Sequence, residues 1–135
     1  MNQSDCDFYF SFRENVMSEF ECIATEVLKD ATVVKFVDQR VMDPARIESL
    51  GRELISLVNT TLATGIVLDF DGVSFFSSAA INKLIKLESE IKKNGRQLRL
   101  SNLRPEVRDL FSYTNLDSLF QIKDSQSDAI ESLES

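Results

Sequence analysis

The chain has 135 residues, 43% of them hydrophobic and 27% charged, which suits one domain that buries roughly two-thirds of its unfolded surface. A formal net charge of -7 argues against a nucleic-acid partner, and no apolar run approaches the roughly 20 residues of a membrane helix. Histidine is absent and glycine is scarce, four residues in all. Ser-His-Asp and Cys-His catalysis and the usual zinc sites therefore lose their commonest member, and no Gly-rich phosphate loop can be assembled. An enzyme is not expected, and no cofactor or metal is.

Residues 1–16 form an N-terminal extension. Met1 to Asp7 is polar and acidic, without the basic leader and apolar segment of a secretory signal. Cys6 and Cys22 make no CxxC pair and read as reduced thiols of a cytoplasmic protein. Phe8-Tyr9-Phe10-Ser11-Phe12 places three phenylalanines on one face if extended. Such a stretch packs on the domain, pairs with another chain, or promotes aggregation. The folded domain is expected over residues 17–135.

Phe20 to Val27 and Ala31 to Val37 read as two strands of a hairpin turning at Lys29-Asp30. Asp38 to Met42 is expected to be a loop. Asp43-Pro44 starts a helix, with Asp as N-cap and Pro at the first helical position, and Ile47, Leu50, Leu54, Leu57 and Val58 supply its buried stripe. Gly65 to Phe70 is a buried strand ended by Asp71-Gly72. Asp69 and Asp71 invite a metal reading, but carboxylates at a strand end are expected to cap and solvate the turn. A second apolar run, Val73 to Phe76, leads to Ser77-Ser78, where the period changes to helical. Ile81, Leu84, Ile85 and Ile91 recur on one face, and Lys83, Lys86, Glu90 and Lys93 fill the other. Asn94-Gly95 stops that helix. Gln97 to Leu100 is a fourth strand, Pro105 opens a short helix with Val107, Leu110 and Phe111 at core spacing, Leu119 to Ile122 is a last strand, and Ser125 to Leu133 a weak helix. Strands alternating with helices predict an α/β domain with a mostly parallel sheet of about four to five strands, the first strand being the antiparallel exception.

The run Val73-Ser74-Phe75-Phe76-Ser77-Ser78-Ala79-Ala80-Ile81 resembles the STAS domain family (sulfate transporter and anti-sigma-factor antagonist), whose pattern is Val-x-Phe-Ile/Met followed by Asp-Ser-Ser/Thr-Gly-Leu and a helix. Gly95-Arg96-Gln97-Leu98-Arg99-Leu100, Pro105-Glu106-Val107-Arg108 and Thr114-Asn115-Leu116-Asp117-Ser118-Leu119-Phe120 match the family in order, over about residues 21–132. The resemblance implies a single STAS-like domain and a regulatory module that binds other proteins. Its expected partner is an anti-sigma factor or a related serine kinase-like protein, reached by partner switching. Phosphorylation is expected at Ser78, with Ser77 the second candidate. The implied docking surface is Ser77, Ser78, Ala79 and Asn82, and the loop and helix start before them add Arg40 and Asp43, since partners dock on loops near helix N-termini.

Two positions depart from the family. Ser77 replaces its Asp, removing a charge that a kinase could use. Ala80 replaces its Gly, adding a methyl group expected to lie where a partner approaches. A scaffolding or self-associating role is the alternative reading. A domain beginning near Met17 also raises the prospect that synthesis starts there. Charge is uneven, -7 over residues 1–77, +4 over 78–111 and -4 over 112–135. The plain reading of the basic stretch is a solvated lysine-rich helix face, and the sharper one is a patch that steers an acidic protein partner.

Overall fold

The computed structural model describes residues 20–61 and 63–133. The extension, residues 1–16, lies outside them. Among the described residues seven strands are present: β1 Ile23–Leu28, β2 Ala31–Phe36, β3 Arg40–Val41, β4 Gly65–Asp69, β5 Phe75–Phe76, β6 Gln97–Ser101 and β7 Gln121–Lys123. The helices are α1 Pro44–Thr60, α2 Ser78–Lys93, α3 Pro105–Tyr113 and α4 Gln126–Glu131, with a single 3-10 turn at Leu116–Ser118. Five strands form one sheet in the order β1-β2-β4-β6-β7, and β3 and β5 form a second, two-stranded sheet. In the main sheet β1 runs antiparallel to β2 and the other pairs are parallel. This is the expected α/β domain, with the expected antiparallel first strand.

β2 and β4 are apolar on both faces because both faces are covered. Val34, Ile66, Leu68, Leu98 and Leu100 face the large core that α1, α2 and α3 close. On the other face Ala31, Val33 and Val67 meet Ala129 of α4, with Leu28, Ile130 and Leu133 around them. Gly65 permits that second layer, since a Cβ there would sit 2.6 Å from Leu133 Cδ2. The stripe expected on α1 is the one buried. On α2, Leu87 joins Ile81, Leu84 and Ile91, and Ile85 is half-buried. Leu110 of α3 is also only half-buried. The last strand starts two residues later than expected, because Leu116–Ser118 winds into the 3-10 turn that delivers buried Phe120 to the core.

Asp69, 1% exposed, ends the central strand β4. Its Oδ1 accepts from the backbone N–H of Asp71 (3.0 Å) and from Asn102 Nδ2 (2.9 Å), and its Oδ2 accepts from Gln126 Nε2 (2.8 Å). Lys35 Nζ lies 3.8 Å from Oδ2. The expected capping of the turn is present, but the carboxylate is buried among protein donors and not solvated.

Leu54→Ala or Leu84→Ala should each cost about 2 to 5 kcal/mol through the cavity left between helices and sheet, read as a lower urea midpoint. Asp69→Ala should cost about 3 kcal/mol by leaving the Asn102 and Gln126 amides unpaired, and should raise hydrogen exchange in α4 first, since Gln126 opens that helix.

Candidate functional site

The exposed features of this end of the domain are built on the small sheet. The stretch from Asp38 to Met42 is not simply a loop. Arg40 pairs with Phe75 and Val41 with Phe76 in parallel. The N–H of Ser74 donates to Gln39 O at 2.8 Å, and that of Ser77 to Val41 O at 3.0 Å. Such a pairing joins segments 35 residues apart and leaves no local periodicity. A charge-assisted fork holds the incoming chain, with Arg46 Nε 2.9 Å from Asp38 Oδ2 and Nη2 3.0 Å from Oδ1. That hydrogen bond is the main reason the Arg46 pKa is raised.

Side chains alternate across the small sheet. Val41 and Phe76 point inward, and Phe76 meets Phe70 and Phe36 edge-on, with ring centroids 5.3 and 5.5 Å away. Arg40 and Phe75 point outward, the Arg40 guanidinium 5.3 Å from the Phe75 ring centroid in a cation–π pair. Phe75 is 39% exposed and Met42 50%. Neither is among the residues the sequence points to. Phe75 lies within an apolar run whose inward members, Val73 and Phe76, are three apart, so the alternation that would mark it as outward is broken at Ser74.

The two serines divide their duties. Ser77 is the N-cap of α2, with extended backbone, and its Oγ accepts the N–H of Ala80 at 3.2 Å. Ser78 is the first helical residue, exposed, and its hydroxyl has no protein partner among the described residues. Ala79 and Asn82 are exposed beside it, Asn82 one turn further along the same helix. Ala80 differs from expectation: it is fully buried in the main core, because the helix turns its third residue toward the sheet. Its methyl group faces the interior and not an approaching protein.

Asp43 takes the N-cap position of α1 by backbone alone. Its carbonyl accepts from Ile47 N–H at 2.9 Å, but its carboxylate makes no capping bond and stays exposed. Arg40 and Asp43 thus flank Met42, and the small sheet brings Arg40 to the strand that leads into Ser77 and Ser78.

The architecture defines a mixed-sheet α/β domain whose exposed aromatic, cationic and hydroxyl groups gather where the small sheet passes into α2. The chain belongs to the STAS domain family, whose model matches residues 22–129. BtrV of Bordetella bronchiseptica, which carries the name of an anti-sigma factor antagonist, is 27% identical over 88 residues, 65% of this chain and 75% of BtrV. Among solved structures, an anti-sigma-factor antagonist (STAS) domain protein from Planctomyces limnophilus superposes with a TM-score of 0.73 at 20% identity, covering 83% of this chain and 97% of the other. The Bacillus cell fate determinant SpoIIAA in its phosphorylated form gives 0.61 at 17% identity, covering 81% and 96%.

Ser77→Ala should lower stability by about 1 kcal/mol through the lost cap. Ser78→Ala should leave stability unchanged or slightly raised, since alanine favours the helix. Urea unfolding of the two variants side by side checks this division.

Proposed function

We propose that this protein is a regulatory binding module of the anti-sigma-factor antagonist type, acting by partner switching. The surface of Ser77, Ser78, Ala79 and Asn82, extended by Arg40, Asp43, Met42 and Phe75, docks on a kinase-like anti-sigma factor, which then releases its sigma factor. The observation that carries the reading is Ser78, exposed at a helix start with no structural bond of its own, while its neighbour Ser77 does the capping. A hydroxyl so placed is free for modification. The Phe75 ring and the Arg40 guanidinium are the residue types that anchor interfaces.

Phosphate on Ser78 would meet the unpaired N–H groups and positive dipole end of α2, so it would not unfold the domain. Its effect would fall on the partner. About -1.5 to -2 charges added to a docking surface oppose binding through repulsion and desolvation. The names of BtrV and of the similar solved structures support this reading, as does SpoIIAA, solved in both unphosphorylated and phosphorylated forms.

A second reading, self-association in a scaffold without phosphorylation, is favoured by Ser77 standing where the family has its acidic residue. A pull-down separates the two. Recovery of an ATPase-type anti-sigma factor supports switching, whereas recovery of only the chain itself supports scaffolding.

Ser78→Asp should weaken anti-sigma factor binding at least tenfold, about 1.4 kcal/mol, with an unchanged melting temperature. Phe75→Ala should weaken it comparably by removing an anchor. Wild-type affinity in Ser78→Asp, measured by calorimetry, would remove Ser78 from the interface and leave it a helix-start residue.

A further inference from the structure

A groove of about 500 Å³ runs between α1 and α2, one turn of α2 beyond Ala79 and Asn82. Its charged members are Glu48, Arg52, Lys83 and Lys86, a net charge of +2 on a chain of -7. The sequence pattern puts Lys83 on the solvated face of α2, but only 19% of its side chain is exposed and its stem lies over Gly51 of α1, where a Cβ would come within 2.8 Å of Lys83 Cδ. Its ammonium pairs with Glu48 Oε2 at 3.0 Å, and this hydrogen bond holds the Glu48 carboxyl below its usual range. Arg52 donates only to Ser49 Oγ (3.1 Å), and neither it nor Lys86 has an acidic partner within ion-pair distance among the described residues. The groove therefore offers half-buried Ile55 and lysine stems as apolar surface, with two cations beside them that have no ion-pair partner among the described residues.

The chain itself contains a segment of matching chemistry. Residues 1–19 carry Asp5, Asp7, Glu14 and Glu19 against Arg13, a net side-chain charge of -3, together with Phe8, Tyr9, Phe10 and Phe12. The described chain begins against α1: the N–H groups of Glu21 and Cys22 donate to the Glu53 carboxylate at 3.1 and 2.9 Å, and Glu53 is the residue after Arg52. The segment thus joins the domain on the same helix that forms one wall of the groove. Nineteen residues can span about 60 Å.

We infer that the acidic, aromatic N-terminal segment of this chain docks in the cationic groove between α1 and α2. Tethering supplies a millimolar-range effective concentration, so a shallow groove is enough. Carboxylates meet Arg52 and Lys86, and aromatic rings cover Ile55 and the lysine stems.

The test uses the full chain with a nitroxide on Cys6, since Cys22 is buried and burial pushes its thiol pKa up. Paramagnetic broadening should fall on the amides of Arg52, Asn59 and Lys86. It should be lost in the Arg52→Glu, Lys86→Glu double variant, both positions being exposed, and in the wild-type chain at high salt. Broadening confined to β1, or none with a preferred site, would overturn the proposal. So would broadening that appears only between a labelled and an isotope-marked chain, which would make the occupant a second copy.

Discussion

The carboxylate of Asp69 stands at the end of the central strand, almost wholly out of water, and every group around it is a donor. A buried charge is tolerated only when it is fully hydrogen-bonded, so these donors have to be in place together. They come from β2, from the turn after β4, from the residue after β6 and from the first residue of α4. The same bond that satisfies Oδ1 from Asp71 bends the chain out of the sheet. Gly72, with φ of +91°, completes that bend, and the chain that leaves it becomes β5 and then the start of α2. The position of Ser77 and Ser78 is therefore tied to the central strand through one carboxylate.

Aromatic packing supports the chain beyond the bend. Phe36, Phe70 and Phe76 contact one another, and Phe111 and Phe120 continue the chain of rings from Phe70 toward β7. Offset and edge-on ring pairs add about 0.5 to 1.5 kcal/mol each beyond area burial. They also fix ring orientation, which fixes the small sheet seated on Phe76. The same packing sets which side of that sheet carries the outward residues Arg40 and Phe75.

The helical layer combines a tight apolar interior with charged seams. Arg96 caps the far end of α1 by donating to Val58 O and Thr61 O, placing a cation where the helix dipole is negative. Lys83 and Glu48 bridge α1 and α2 over Gly51, where the missing side chain lets the lysine lie flat. Arg99 ties β6 to the end of α4 through Ser132 Oγ and its carbonyl. These contacts place the basic stretch of the sequence in two settings, part neutralised within the fold and part left on the groove.

Much of the architecture could be read from the residues alone because it rests on local periodicity and local chain stops. The buried stripe of α1, the apolar strands, Asn94-Gly95 and the switch of period at Ser77-Ser78 each act within a few residues of themselves. The same helical spacing puts Ser78 and Asn82 on one helix face. Other features needed residues far apart in the chain to meet. β3 exists only because Phe75 and Phe76 offer it a partner, and Phe75 turns outward only because that pairing sets the alternation. Asp43 keeps its helix-start position without its side-chain bond, and Ala80 turns inward because α2 packs its third residue against the sheet. Lys83 reads as a solvated charge until α1 lies beside it. Sequence pattern determines which face of an element is apolar, whereas the pairing of distant elements decides which polar and aromatic groups remain outside, since only their neighbours can cover them.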